Sequence, residues 1–310
     1  MKRLAGVVLF VFLFAAAFTH LERVYSQKFF DVTRKAQWIW APHRLSDNVP
    51  VAFFAARNFD LPRDRYYTHI KVLGDPEYTL YLNGRELAGR RVGEERKIDV
   101  FDVSDLAITG RNRLVIAVRA TQGVGGLIAS IDISPELESW VVTDRRWKIY
   151  RRWNPEILRR DGADLGPAAP MILGEPPVGR WDYLTPAAGQ FTEPVQRVAA
   201  ARASTSTKAS VPVILTRGGV AIVSSERMRA TIFDFGFIRG RVQLTIGGDR
   251  DFSRSVNVRF ANAKEELSAI DWNLRSYVFA AGERVVVDPE VRSFRYLMVY
   301  GADVRTEVLQ

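Results

Sequence analysis

The sequence predicts an all-β protein, two antiparallel β-sandwich domains behind an N-terminal hydrophobic helix. Three observations predict it. Between Tyr78 and Leu87, the residues Tyr78, Leu80 and Leu82 alternate with Thr79, Tyr81 and Asn83. That period of two puts neighbours on opposite faces of a strand. Asn83-Gly84 then supplies two residues that tolerate positive φ, as a type I′ hairpin turn requires. Short segments of the same kind, bounded by Gly, Pro, Asn and Asp, recur along the chain, and no long helical period follows Phe18.

In chain order, Lys2 and Arg3 precede an unbroken apolar run from Leu4 to Phe18. A positive region followed by a hydrophobic segment is the pattern of an export signal. As a helix the run spans about 22 Å, short of the roughly 30 Å hydrocarbon core of a bilayer. Ala15-Ala16-Ala17 and Val24-Tyr25-Ser26 offer small-residue cleavage sites, whereas Thr19, His20 and Leu21 extend the run toward membrane thickness. Residues 1–26 are therefore expected to be either a cleaved signal peptide or a membrane anchor through residues 4–21. Both place the rest of the chain outside the cytoplasm, in the periplasm or at the cell surface, and a retained segment anchors it in the inner membrane.

Residues 36–185 are expected to form the first sandwich. Trp38-Ile39-Trp40 reads as a strand with both tryptophans on one face, suited to a core or to a sugar ring. Strands follow around Ala55, around Ile70 and through the hairpin, then a polar loop from Gly89 to Lys97. Arg113 to Arg119 and Leu127 to Ile133 supply further strands, separated by a glycine-rich bend that lacks the strand–helix setting of a phosphate loop. Residues 186–212 read as a linker rich in Pro, Ala, Ser and Thr. Residues 213–310 return to the period of two, with a short helix expected between Ala263 and Leu274.

Hydrophobic content of 47% and charged content of 25% are those of a globular protein and exclude global disorder. The absence of cysteine removes disulfides, thiolate metal sites and cysteine nucleophiles. His20, His43 and His69 are too scattered for a metal motif, so no metal or cofactor is expected. The formal net charge of +9 is either that of a soluble protein with a basic surface or the mark of a polyanionic partner. Because the basic residues are spread over both domains of a chain that looks exported, acidic polysaccharide or anionic lipid headgroups fit better than nucleic acid. Glu94-Glu95, Asp249/Asp251 and Glu265-Glu266 are carboxyl pairs by count alone, and adjacent residues on a strand face opposite sides, so such neighbours do not form the two carboxyls of a glycosidase. With no Gly-x-Ser-x-Gly motif either, no active site is expected.

The densest basic region holds Arg145, Arg146, Lys148, Arg151, Arg152, Arg159 and Arg160, interleaved with Trp147, Tyr150 and Trp153. Such a stretch is either a solvated face with its tryptophans turned inward or a ligand surface. In the second case Trp147, Tyr150 and Trp153 stack on sugar rings, and Arg145, Arg151 and Arg152 hold acidic groups.

Four segments in order also resemble the N-terminal accessory domains of bacterial α-L-rhamnosidases. They are Tyr81-Leu82-Asn83-Gly84 with the preceding Ala56-Arg57-Asn58-Phe59 and Trp38-Ile39-Trp40-Ala41, then Thr143-Asp144-Arg145-Arg146-Trp147-Lys148, Phe233-Asp234-Phe235-Gly236, and Ser293-Phe294-Arg295-Tyr296. The resemblance implies a galactose-binding-like jelly roll followed by a second β-sandwich. In that family the catalytic acid and base lie on an α/α toroid that follows these sandwiches. Since the sequence ends at Gln310, the expectation is a non-catalytic envelope protein that binds carbohydrate, either an acidic or a rhamnose-containing polysaccharide. One alternative is a scaffold subunit pairing with a separate glycosidase or polysaccharide-assembly protein. The other is a glycoside hydrolase with an unrecognised active site.

Overall fold

The structure, a computed structural model, describes residues 10–19, 36–43, 48–63, 67–93, 97–133, 138–162, 165–181, 184, 190–191, 200–217, 220–268, 274–301 and 303–310. The first domain contains β1 (Trp38–Trp40), β2 (Val51–Leu61), β3 (Thr68–Asp75), β4 (Glu77–Leu82), β5 (Arg85–Arg91) and β6 (Asp99–Asp102). It continues with β7 (Gly110–Ala120), β8 (Gly126–Ile133), β9 (Glu138–Val142), β10 (Lys148–Tyr150), β11 (Met171–Gly174) and β12 (Gln190–Phe191). One sheet runs β11-β1-β8-β3-β6-β12, with β9 also on β8, and the other runs β10-β2-β7-β4-β5. Pairing is antiparallel except between β12 and β6. This is the all-β sandwich that the period of two predicts.

The hairpin forms as read. Asn83 and Gly84 take φ of 51° and 84°, and Leu82 pairs with Arg85 across the turn. Asn83 also ties the turn to β7, accepting from the Arg113 amide at 2.9 Å and donating to Asn112 Oδ1 at 2.9 Å. β5 continues to Arg91, through the first residues of the expected loop. Its basic residues suit an edge strand, and Arg91 is held there by Glu77 at 2.6 Å.

Between the two sheets lie Trp40, Phe53, Tyr78, Leu80, Ile116 and Trp147. Tyr78 donates to Asp99 Oδ2 at 2.5 Å, and Arg90 pairs with the other oxygen of the same carboxylate. Burial and the neighbouring Asp99 push the Tyr78 phenol well above its ordinary value. On the far side of the larger sheet, Trp38 stacks on Trp181 at 4.6 Å, and Trp181 donates to Asp75 Oδ2 at 2.8 Å. Trp38 and Trp40 are both fully buried, so this pair belongs to the cores.

The second domain contains β13 (Ala200–Arg202), β14 (Thr205–Arg217), β15 (Val220–Ile246), β16 (Arg254–Ala261), β17 (Leu274–Phe279), β18 (Val285–Val287), β19 (Arg292–Tyr300) and β20 (Val304–Leu309). The first half of β15 pairs with β14, its middle, Ala230–Gly240, pairs with β19, and its last residues pair with β20 and β18. One long strand thus serves both layers around a core of Phe233, Leu244, Tyr277, Phe279, Phe294 and Leu297. β13 and the start of β14 fall within residues 186–212, where the sequence suggested a linker. Serine and threonine there suit exposed edge strands as well as they suit a linker. Within the expected helix the described residues form a short 3₁₀ helix, Lys264–Ser268, and residues 269–273 lie outside the described residues.

Residues 10–19 are helical, and Phe10, Phe12, Phe14 and Phe18 on it are exposed. Among the described residues no helix is long and apolar enough to cross a membrane. The rest of residues 1–26 lies outside the described residues, as do residues 192–199 of the expected linker.

Gly84→Val is expected to destabilise the protein by roughly 1–2 kcal/mol, because a β-branched residue is disfavoured at positive φ. A thermal melt reads this, and a curve like that of the parent contradicts the turn assignment.

Candidate functional site: the cleft between the domains

The outer face of the β10-β2-β7-β4-β5 sheet is apolar. Phe54, Ala56, Val115, Ala117 and Tyr150 are buried there against Val278 and Ala280 of the second domain. Backbone contacts fix the seam. The Trp153 amide donates to the Ala281 carbonyl at 2.7 Å, and the Ala52 amide donates to Ser253 Oγ at 3.3 Å. Gly282 takes φ of 75° beside the Trp153 carbonyl, a conformation that favours glycine.

Where the apolar packing of this seam ends, a cleft of about 520 Å³ opens, a volume suited to a small saccharide unit. Tyr81 and Thr79 of β4, Arg119 at the end of β7 and Trp153 line it from the first domain. Gln243 and Arg241 of β15 and the Gly282–Val287 turn line it from the second. Trp153 is half-buried, and its ring rests on Phe54 at 4.9 Å. Burial, with Glu86 nearby, pushes the Tyr81 phenol up, so it enters the cleft as a neutral hydroxyl.

Both carboxylates in the cleft are held by arginines. Glu283 accepts from Arg119 Nη1 and Nη2, each at 2.8 Å, and from the Ala280 amide at 2.9 Å. Arg119 and Glu283 are both buried. Glu86 accepts from Arg241 at 2.6 Å. Glu283 has both carboxylate oxygens committed to Arg119. The cleft therefore offers an aromatic wall, hydroxyls, an amide and fixed charges, a set suited to binding. The Arg284 side chain is exposed on the rim and has no partner among the described residues, while its carbonyl accepts from the Ile246 amide at 2.9 Å.

The residues suggested by the sequence are dispersed. Trp147 is 1% exposed, packs in the first core and donates its indole N–H to the Val142 carbonyl. Tyr150 is buried in the seam. Neither presents a face to a ligand, because β10 pairs on β2 and turns its aromatic residues inward. Arg145 is exposed on a turn, and Arg151 donates to the Pro42 carbonyl at 3.3 Å. Arg152 bridges the domains to Asp249 at 2.7 Å and Asp251 at 2.6 Å. Of the six, Trp153 alone lines the cleft. Sequence reasoning missed Tyr81, Arg119, Gln243 and Arg284. Tyr81 had a signal, since in the hairpin alternation it faces away from Leu80 and Leu82. Glu283, 164 residues from its partner Arg119, had none.

No family model matches the chain, and no curated protein does. Among solved structures it is similar to the α-L-rhamnosidase from Aspergillus terreus, with a TM-score of 0.51 and 14% identity, covering 88% of this chain and 36% of that one. The α-L-rhamnosidase from Streptomyces avermitilis complexed with L-rhamnose gives a TM-score of 0.46 at 14% identity, over 89% of this chain and 44% of that one. A lectin from Pleurotus ostreatus in complex with GalNAc gives 0.42 at 12% identity, over 89% and 77%. The chain spans 36% to 44% of these two rhamnosidase chains. The sequence resemblance to rhamnosidases thus holds for the fold, over a part of those enzymes.

Replacing Arg119 by Met leaves Glu283 as a buried, unpaired charge, and the expected cost is about 3–5 kcal/mol. Adding Glu283→Leu is expected to recover part of that loss in chemical denaturation. Additive effects of the two changes contradict a coupled pair across the seam.

Proposed function

We propose that this chain is a non-catalytic carbohydrate-binding module and that the cleft between its two sandwiches takes the sugar. One observation carries the reading. A cleft of about 520 Å³ joins an aromatic wall, Trp153 and Tyr81, to hydroxyl, amide and guanidinium groups from both domains. Aromatic faces take the C–H face of a pyranose, and the polar groups around them fix its hydroxyls. The arginine-held carboxylates support binding over hydrolysis. The fold shared with a rhamnosidase makes rhamnose-containing glycans the first ligands to test, and the net charge of +9 with the unpartnered Arg284 side chain on the rim favours acidic ones. The apolar segment after Lys2 and Arg3 supports an exported, envelope-located protein.

A second reading has its own support. Trp38, Trp40, Trp147 and Trp181 are buried, as expected of a scaffold that pairs with a separate glycosidase or polysaccharide-assembly protein. Binding separates the two readings. Stacking on an aromatic contributes about 1–3 kcal/mol in the related case of nucleobases, so Trp153→Ala is expected to weaken glycan affinity tenfold or more. Affinity for acidic glycans is also expected to fall with salt. A chain that binds no glycan at millimolar concentration but co-purifies with a partner protein is a scaffold.

A further inference from the structure

Two motifs that the cleft does not use, Phe233-Asp234-Phe235-Gly236 and Ser293-Phe294-Arg295-Tyr296, meet on neighbouring strands. β15 bulges at their junction. Its register against β19 passes from Asp234↔Tyr296 to Ile238↔Phe294, four steps on one strand against two on the other. Gly236 takes φ of 69° inside the bulge and donates its amide to Asp234 Oδ1 at 2.9 Å. The phenylalanines on either side of it part ways. Phe235 meets Phe294 edge-on at 5.7 Å and 80°. Phe237 is 78% exposed, more than any other large hydrophobic side chain described. Bulges commonly re-aim a side chain in this way.

Arg295 stands beside Phe237. Its guanidinium carbon lies 4.9 Å from the centre of the Tyr296 ring and 5.9 Å from that of Phe237. Asp234 fixes it, accepting from Nε at 3.3 Å and from Nη2 at 3.2 Å. Arginine has five N–H donors, so with Asp234 and Tyr296 as partners about two remain for a ligand. The Arg295 hydrogen bond and the Gly236 amide hold the Asp234 carboxyl below its ordinary range.

We propose that Phe237, Arg295 and Tyr296 form a second saccharide site, separate from the cleft, in which a pyranose ring stacks on Phe237 and its oxygens accept from the remaining N–H groups of Arg295. The surroundings favour a sugar over a protein. Ser204, Arg239 and Ser293 near the bulge are polar and exposed, so the apolar area is about one ring wide. A protein partner needs about 800 Å² on each side. A pyranose presents an apolar face edged with oxygens, which matches a ring edged with N–H donors. Two sites on one chain also let a polymer bind both at once and gain avidity.

The test uses the full chain on a printed array of bacterial and plant polysaccharides, neutral and uronate-containing, followed by titration of each one bound. Phe237→Ala is expected to lower affinity at least tenfold with an unchanged melting temperature, since the side chain is exposed. A Trp153→Ala variant is expected to keep a residual affinity that the double variant loses. With Arg295→Met, loss on both kinds of saccharide assigns hydroxyl recognition to Arg295, and loss confined to uronate-containing ones assigns recognition of the carboxylate. Affinity of Phe237→Ala equal to the parent, or no saccharide bound by the parent, overturns the proposal. So does loss of a co-purifying protein on Phe237→Ala with saccharide binding intact, which makes the patch a protein-docking surface.

Discussion

The architecture depends on one constraint: in the middle of the β10-β2-β7-β4-β5 sheet, strands β2 and β7 have no polar face. Along β2, Phe53 and Ala55 face the first core while Phe54 and Ala56 face the second domain. Along β7, Leu114, Ile116 and Val118 point one way, and Val115 and Ala117 the other. Antiparallel sheets commonly leave one face to water, but the middle of this one is apolar on both. Burying both faces needs a second layer on each side. The larger sheet supplies one layer and the second sandwich supplies the other. The two domains are thereby joined through a shared hydrophobic layer rather than through a polar contact between finished units.

The cleft follows from that seam. Apolar packing ends where Tyr81 and Arg119 replace the small residues of the sheet face, and there the second domain meets the first through charges instead. The Arg119–Glu283 pair is buried and bidentate, and Arg241 joins Glu86 to the Asp288 carbonyl. Such pairs specify how two surfaces meet more than they stabilise them, since desolvation offsets much of their attraction. The same economy appears inside each core. Tyr78 donates to Asp99, which pairs with Arg90, and Tyr277 donates to Asp288, which pairs with Arg275 and Arg292. Asp99 and Asp288 are thus each satisfied by a phenol and by guanidinium groups, so both carboxylates serve the structure.

The hairpin was legible because its information is local. Alternation and Asn83-Gly84 specify two strands and the turn between them. The double burial of the central strands was present in the sequence as contiguous apolar runs, Ala52-Phe53-Phe54-Ala55-Ala56 and Leu114 to Val118, which a reading by period of two takes as ordinary half-buried strands. The aromatic residues among the arginines were ambiguous for a physical reason. Whether a tryptophan faces core or solvent depends on which strand pairs with its own, and β10 pairs with β2, some ninety residues earlier, so Trp147 turns inward. The cleft was the least legible feature. Tyr81, Trp153, Gln243 and Arg284 come from four places in the chain, and only the packing of the second sandwich on the apolar sheet brings them together.

Scanning calorimetry of the full chain tests most directly whether this shared layer makes the two sandwiches one unit. The account predicts a single endotherm whose calorimetric and van't Hoff enthalpies agree, because neither domain can keep the seam buried alone. Two separable transitions, with the first domain melting independently of the second, would contradict it.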